Sequence, residues 1–360
     1  MKILTIVGAR PQFIKAAMVS REASKHSDIE EVIVHTGQHF DERMSGVFFD
    51  EMGIPVPKYN LAVHGLSHGA MTGQMLEKIE RTIVDERPEW VLVYGDTNST
   101  LAGALAAAKL HVKVAHVEAG LRSFNMRMPE EINRILTDRV SSLLMCPTDL
   151  ACDNLKREGF SGFDCTVVKT GDVVQDAAMH FSRLSPSSRE VAAIIAPGCR
   201  PFTLVTVHRA ENTDDPDRLK DIITALNRIS INHRVILPLH PRTRRRLSEL
   251  KCRTDFDLLD PVGYVDMLQL VKNSSLVMTD SGGLQKEAYF FGKHCVTLRD
   301  ETEWVELVEG GYNVLAGTEV MRILSAHGEM LDRKSDFSID LYGGGKASAR
   351  VVESLLCYQD

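Results

Sequence analysis

Glu118, Arg122, Arg127 and Glu130 crowd into one stretch, AHVEAGLRSFNMRMPEE from Ala115 to Glu131. It starts within the apolar run LHVKVAHVE, which reads as a buried parallel strand. It ends where a helix, EEINRILTDRV, begins. Acids and guanidinium groups at the carboxyl end of a strand belong where open α/β sheets bind ligands. Two carboxylates among two cations can also divide acid and base roles between them. An ion-paired surface loop would carry the same residues, so the rest of the chain has to decide.

The elements that position this stretch come from apolar runs alternating with helical periodicity. Lys2–Val7 is a strand, followed by Gly8-Ala9-Arg10-Pro11 and a helix through about Lys25. A helix opening directly after a strand is an anion site, and Arg10 and Lys15 would add charge to it. Val32–Thr36 is a second strand, leading through Gly37-Gln38-His39-Phe40-Asp41 into a helix to about Met52. Residues 55–67 read as loop. His64 and His68 have metal-pair spacing but no third ligand, so no metal site is expected. Met71–Glu86 is helical, and Trp90–Tyr94 is a strand ending at Gly95-Asp96. Asp96 reads most simply as the N-cap of the next helix; the alternative is a carboxylate facing the ligand crevice. Leu143–Cys146, helix 149–158 and strand 165–169 extend the sheet.

Residues 182–200, rich in Pro and Ser, read as an interdomain connection. They separate a first domain, 1–181, from a second, 182–341, with a helix over 342–360 packing back on the first. In the second domain Phe202–Val207 ends at His208, and Val235–Leu239 ends at His240-Pro241-Arg242. The arginines that follow read as a solvated helix face. Leu276–Thr279 runs into Asp280-Ser281-Gly282-Gly283 and a helix start. Such a turn lets a phosphate reach backbone N–H groups, although no Lys-Ser/Thr follows to make it a Walker loop. Glu287, one turn further, could take ribose hydroxyls. Gly343-Gly344-Gly345-Lys346 has no preceding strand and reads as a turn. The fold class is α/β, with two doubly wound, mostly parallel sheets.

The 360-residue chain suits two domains. A net charge of −7 argues against binding nucleic acid or an anionic membrane. Seven scattered cysteines without a CxxC pair suggest reduced thiols. No apolar run reaches the roughly 18–20 residues of a membrane span, and no signal core is evident. A cytoplasmic location is expected.

IVGARPQFIK, VYGDTNST, HVEAGLR, PEEINR, TVHRAEN and TDSGGLQKEA follow one another in this order. Together they resemble the non-hydrolysing UDP-N-acetylglucosamine 2-epimerases of bacteria. GQHFDERM, RSFNMRMPEE and RDETEW are similar to the branch acting on UDP-2,3-diacetamido-2,3-dideoxyglucuronate, in surface polysaccharide synthesis. The resemblance implies a glycosyltransferase-B fold, two Rossmann-like domains with a cleft between them, in a homodimer. It implies elimination of UDP to a glycal and re-addition, without a cofactor. Asp96, Glu118 and Glu130 would carry the acid/base work, with His208 as the fourth functional residue. Arg10, Lys15, His240, Ser281, Gly282 and Gly283 match phosphate- and ligand-contacting positions, and Glu287 matches the ribose contact. A uronate substrate would need a guanidinium partner, for which Arg127 and Arg122 are the candidates. Gln38 and His39 match part of the family's substrate-activation site, whereas Phe40-Asp41 departs from it. The rival readings are a glycosyltransferase of the same fold and a hydrolysing epimerase.

Overall fold

The computed structural model describes residues 1–38 and 53–358. The helix expected up to Met52, with His39 and Phe40-Asp41, lies outside the described residues. The chain forms two compact units, Met1–Ala177 with Asp340–Asp360, and Ala178–Ile339.

The first unit holds a seven-stranded sheet in the order β3-β2-β1-β4-β5-β6-β7. These strands are β1 (Lys2–Val7), β2 (Glu30–His35), β3 (Tyr59–Asn60), β4 (Trp90–Tyr94), β5 (Lys113–Val117), β6 (Leu143–Cys146) and β7 (Thr166–Lys169). Every pair is parallel. The central strands are buried on both faces, which is why they read as predominantly apolar runs. Leu4, Ile6, Val91 and Val93 pack with Met75, Ile79 and Ile83 of the helix His68–Glu86. The Ala- and Gly-rich helix Asn98–Lys109 lies close against the sheet. A Cβ on Gly103 would stand 3.1 Å from Ile6 Cγ1 and 3.2 Å from Val93 Cγ1.

The second unit repeats the plan with six parallel strands in the order β10-β9-β8-β11-β12-β13. They are β8 (Phe202–Thr206), β9 (Arg234–Pro238), β10 (Asp257–Leu259), β11 (Leu276–Thr279), β12 (Cys295–Thr297) and β13 (Asn313–Leu315). Val205, Leu237 and Met278 pack there with Leu226 and Ile323. In each unit the strand order reverses beside the first strand, between β1 and β4 and between β8 and β11. Open α/β sheets bind ligands at such reversals.

Two local expectations differ from the structure, and a third gains detail. The loop over 55–67 contains β3, which pairs with β2 (Val34↔Tyr59). Glu86 holds it there, accepting from the Tyr59 hydroxyl and pairing Lys58 at 2.6 Å and Lys2 at 2.7 Å. The connection over 182–200 contains a helix, Arg189–Ile194, capped by Ser188. Val191 and Ile194 of that helix enter the second core. The Gly343–Gly345 turn leads into the helix Ala347–Leu356. The opening amides of that helix, Ala347 N–H and Ser348 N–H, donate to Asp176 at 3.1 and 2.7 Å. A carboxylate therefore already occupies the place a phosphate would take.

Candidate active site

In the first unit the site is built where β1, β4 and β5 end. The β1 turn is pinned by Gln12, whose Oε1 accepts from Gly8 N–H and Ala9 N–H at 2.9 and 3.0 Å. Its Nε2 donates to Tyr94 O at 3.0 Å, joining the turn to the end of β4. A Cβ on Gly8 would fall 2.0 Å from Thr36 Oγ1, so the contact admits only glycine. Arg10 opens the helix Arg10–Ala23, and Lys15 lies one turn on, nearly buried.

Lys15 Nζ pairs with Glu118 Oε1 at 2.5 Å, both side chains 9% exposed. Glu118 follows β5 with φ +74°, a left-handed conformation that costs a non-glycine residue about 1–2 kcal/mol. Strain of this kind concentrates at functional positions. Gly95 sits against the pair, its absent Cβ 3.0 Å from Lys15 Nζ and 3.4 Å from Glu118 Oε1.

Asp96 is not the helix cap. Thr97 is, accepting from Thr100 N–H at 3.3 Å. The hydroxyl one residue on satisfies the helix end, and the Asp96 carboxylate instead pairs with Arg134. Asn133 Nδ2 donates to Asp96 O at 2.9 Å, so adjacent residues of one helix, Pro129–Val140, hold both ends of Asp96.

Glu130 is exposed on the first turn of that helix. Glu131, without a role in the sequence reading, is fully buried. It accepts from Ser123 N–H and Phe124 N–H, both at 2.9 Å, and pairs Arg134 at 3.0 Å. It thus shapes the loop that carries Arg127, whose side chain is exposed.

Arg122, offered by the sequence as a partner for a substrate carboxylate, is turned into the fold. It is 4% exposed, grips Glu158 at 2.7 and 2.8 Å and bonds Asp138 at 2.7 Å. Burial pulls its pKa down, but Glu158 and Asp138 outweigh burial and raise it. Its donors are spent inside the fold. Gln38 also turns inward, accepting from Ser99 N–H and Oγ at 3.2 and 2.8 Å.

In the second unit His208 follows β8 and His240 follows β9. Their rings lie 5.7 Å apart. His208 Nδ1 is 3.2 Å from Asp280 Oδ1. Asp280, quoted within a motif but given no role, organises this turn. It is fully buried and accepts from His208 N–H at 3.0 Å, Arg209 N–H at 3.0 Å and Asn212 Nδ2 at 3.2 Å. Burial pushes its pKa up, and the His208 ring with the Arg209 and His208 backbone N–H groups more than offsets that, leaving it below the ordinary carboxylate value. His240 Nδ1 accepts from Arg242 N–H at 3.2 Å, capping the helix Pro241–Glu249. The arginines beyond are ion-paired at the surface, Arg242 and Arg246 with Asp214 and Arg244 with Asp260.

Ser281 precedes the helix Gly282–Phe290, with its N–H bonded to Thr279 Oγ1 at 2.9 Å. A Cβ on Gly282 would meet Glu303 at 2.8 Å, whereas one on Gly283 would find only Ser281 Oγ at 4.0 Å. The Gly283 side of the helix start is open to a ligand, and Glu287 lies buried on the same helix. Among the described residues no cluster of three or more His, Cys, Asp or Glu is placed to hold a metal ion. No helix among them is long and apolar enough to cross a membrane.

Two Rossmann-like parallel units, each with its polar groups at the strand-order reversal, define an α/β protein of the glycosyltransferase-B type. A crystal structure of the Methanocaldococcus jannaschii UDP-GlcNAc 2-epimerase in complex with UDP-GlcNAc and UDP superposes with a TM-score of 0.90. It is 42% identical, with 99% of each chain covered. The Neisseria meningitidis UDP-GlcNAc 2-epimerase bound to UDP-GlcNAc gives 0.87 at 30% identity, covering 99% of this chain and all of that one. The family model for UDP-N-acetylglucosamine 2-epimerase matches residues 21–356. The Pseudomonas aeruginosa UDP-2,3-diacetamido-2,3-dideoxy-D-glucuronate 2-epimerase is 57% identical over 99% of both chains. This chain belongs to the UDP-N-acetylglucosamine 2-epimerase family.

Proposed function

We propose that the chain is a non-hydrolysing 2-epimerase acting on the UDP-linked 2,3-diacetamido uronate, by elimination and re-addition of UDP. C2 of such a sugar carries no acidifying carbonyl, so its proton leaves most readily as the C1–O bond to UDP breaks. A carboxylate takes the C2 proton, the electrons form the C1–C2 double bond, and the diphosphate leaves with the C1–O pair. UDP then returns to C1 as a proton is delivered to the opposite face of C2. Asp96, Glu118 and Glu130 supply the acid and base groups. Arg10, Lys15, His208, His240 and the Ser281-Gly282-Gly283 turn meet the charge that develops on the diphosphate, and Glu287 takes the ribose.

The observation that carries the reading is the pair of braced carboxylates at the ends of neighbouring strands, Glu118 on Lys15 and Asp96 on Arg134. The choice of the uronate over UDP-N-acetylglucosamine rests on identity, 57% to the uronate enzyme against 42% to a UDP-N-acetylglucosamine enzyme. The reading places the enzyme in the cytoplasm, which fits seven free thiols, and as a homodimer.

The deciding experiment is NMR of each UDP-sugar incubated with the protein alone in deuterated water. Inverted product with deuterium at C2, formed fastest from the uronate, is expected. A stoichiometric release of free UDP would mark a hydrolysing enzyme instead. Absence of C2 exchange with both sugars would end the proposal.

A further inference from the structure

Beneath the two braced carboxylates lies a buried side chain that the reaction does not touch. His116 is the fourth residue of β5, fully buried, two residues before Glu118. Its Nε2 is 2.7 Å from Gly95 O, the carbonyl immediately before Asp96. Its Nδ1 is 2.7 Å from Asp138 Oδ1. One imidazole therefore ties the end of β4, which carries Asp96, to the strand that carries Glu118.

Both partners are acceptors. A carbonyl oxygen can only accept, and Asp138 already accepts at Oδ2 from Gly120 N–H at 3.2 Å and from Arg122 at 2.7 Å. Burial pushes the Asp138 pKa up, but His116 and Arg122 outweigh it and hold it below the ordinary carboxylate value. Each ring nitrogen must then donate.

We propose that His116 is the positioning residue that sets Asp96 against Glu118, and that it does so as a doubly protonated imidazolium. The inference rests on the reading of those carboxylates as catalytic. The imidazolium donates in opposite directions at once, to Gly95 O and to Asp138, while Asp138 holds the Gly120 amide on the far side of Glu118. Two reactive carboxylates on separate strands are thereby fixed by one rigid ring. A neutral ring, with one N–H, could donate to only one of the two acceptors.

Two measurements test this. Neutron diffraction from the perdeuterated protein near neutral pH should show deuterons on both Nδ1 and Nε2 of His116; a single deuteron overturns the charge assignment. His116→Gln should lower kcat about 100-fold, the cost of a small misplacement of reacting groups, with KM changed less than about threefold. The double variant H116Q/D138N restores donor–acceptor matching, because the amide introduced at position 138 can donate to the amide oxygen introduced at position 116. It should recover kcat to within about tenfold of the parent. An unchanged kcat in the folded single variant, with only the melting temperature lowered, would reduce His116 to a structural residue. Should the single variant fail to fold, the double variant and the neutron map still decide. A wild-type protein without C2 exchange would sink the epimerase reading and leave the neutron result standing.

Discussion

Arg122 and Arg127 are five positions apart on one loop, and chemistry alone offers either to a substrate carboxylate. Burial separates them. Arg122 is locked between Glu158 and Asp138, while the Arg127 side chain is exposed. Arg122→Ala would strand two carboxylates and should cost about 3–5 kcal/mol in urea unfolding, with equal relative activity on both UDP-sugars. Arg127→Ala should leave stability within about 0.5 kcal/mol. It should also lower kcat/KM on the uronate at least about tenfold more than on UDP-N-acetylglucosamine, as expected for losing a charge-assisted pair. Equal losses on the two sugars would remove Arg127 from recognition of the uronate. Residue types and spacing singled out Glu118 as a candidate, and only the family resemblance added Asp96 and His208. Neither revealed Glu131, Asp280 or His116, because a buried partner is defined by what a distant segment places beside it. Asp96 shows the same limit from the other side. It has the right type for a helix cap, but the neighbouring Thr97 hydroxyl takes that place.

At the scale of elements, β3 shows how a loop-like sequence becomes a strand. Tyr59-Asn60 has little apolar pattern, and three donors converging on Glu86 hold it at the sheet edge. The Glu86 carboxyl is held at about 2, chiefly by Lys2, then by Lys58 and Tyr59. A carboxyl lowered by folding contributes stability that is complete above its unfolded value of 4.5 and is lost as pH falls toward 2. Both lysines are partly open to water, which holds the contribution to on the order of 1 kcal/mol. Urea midpoints should therefore separate wild type from Glu86→Gln at pH 6, with the gap narrowing steadily between about pH 4.5 and pH 3. A gap that stays constant through that range would show that Glu86 acts by packing. The long elements needed no such help. β1, β4, β8 and β11 are mostly apolar and buried along nearly their whole length because both faces are covered, and Pro11, Pro129, Pro216 and Pro241 stand at helix starts.

For the whole molecule, two parallel α/β units were legible from the alternation of strands and helices. The strand orders were not, since a run of valines and isoleucines does not say which strand lies beside it. The return of residues 340–360 to the first unit has a measurable weight. Val351, Val352 and Leu355 are buried there, Asp176 caps their helix, and Tyr358 meets Trp90 edge-on at 4.9 Å. Deleting residues 347–360 should cost the first unit about 5 kcal/mol, from roughly 1.5–3 kcal/mol per apolar side chain re-exposed. Differential scanning calorimetry should show its transition lowered and that of the second unit unmoved; an undisturbed first transition would contradict the assignment.

That return also sets a timetable. As the chain leaves the ribosome, the piece that closes the first unit is made only after the whole second unit has been synthesised. The half begun first is therefore finished last. Its helix Arg10–Ala23 waits with a bare apolar flank while more than three hundred residues are added. A chain released after residue 339 would hold a complete second unit and a first unit still lacking its closing helix.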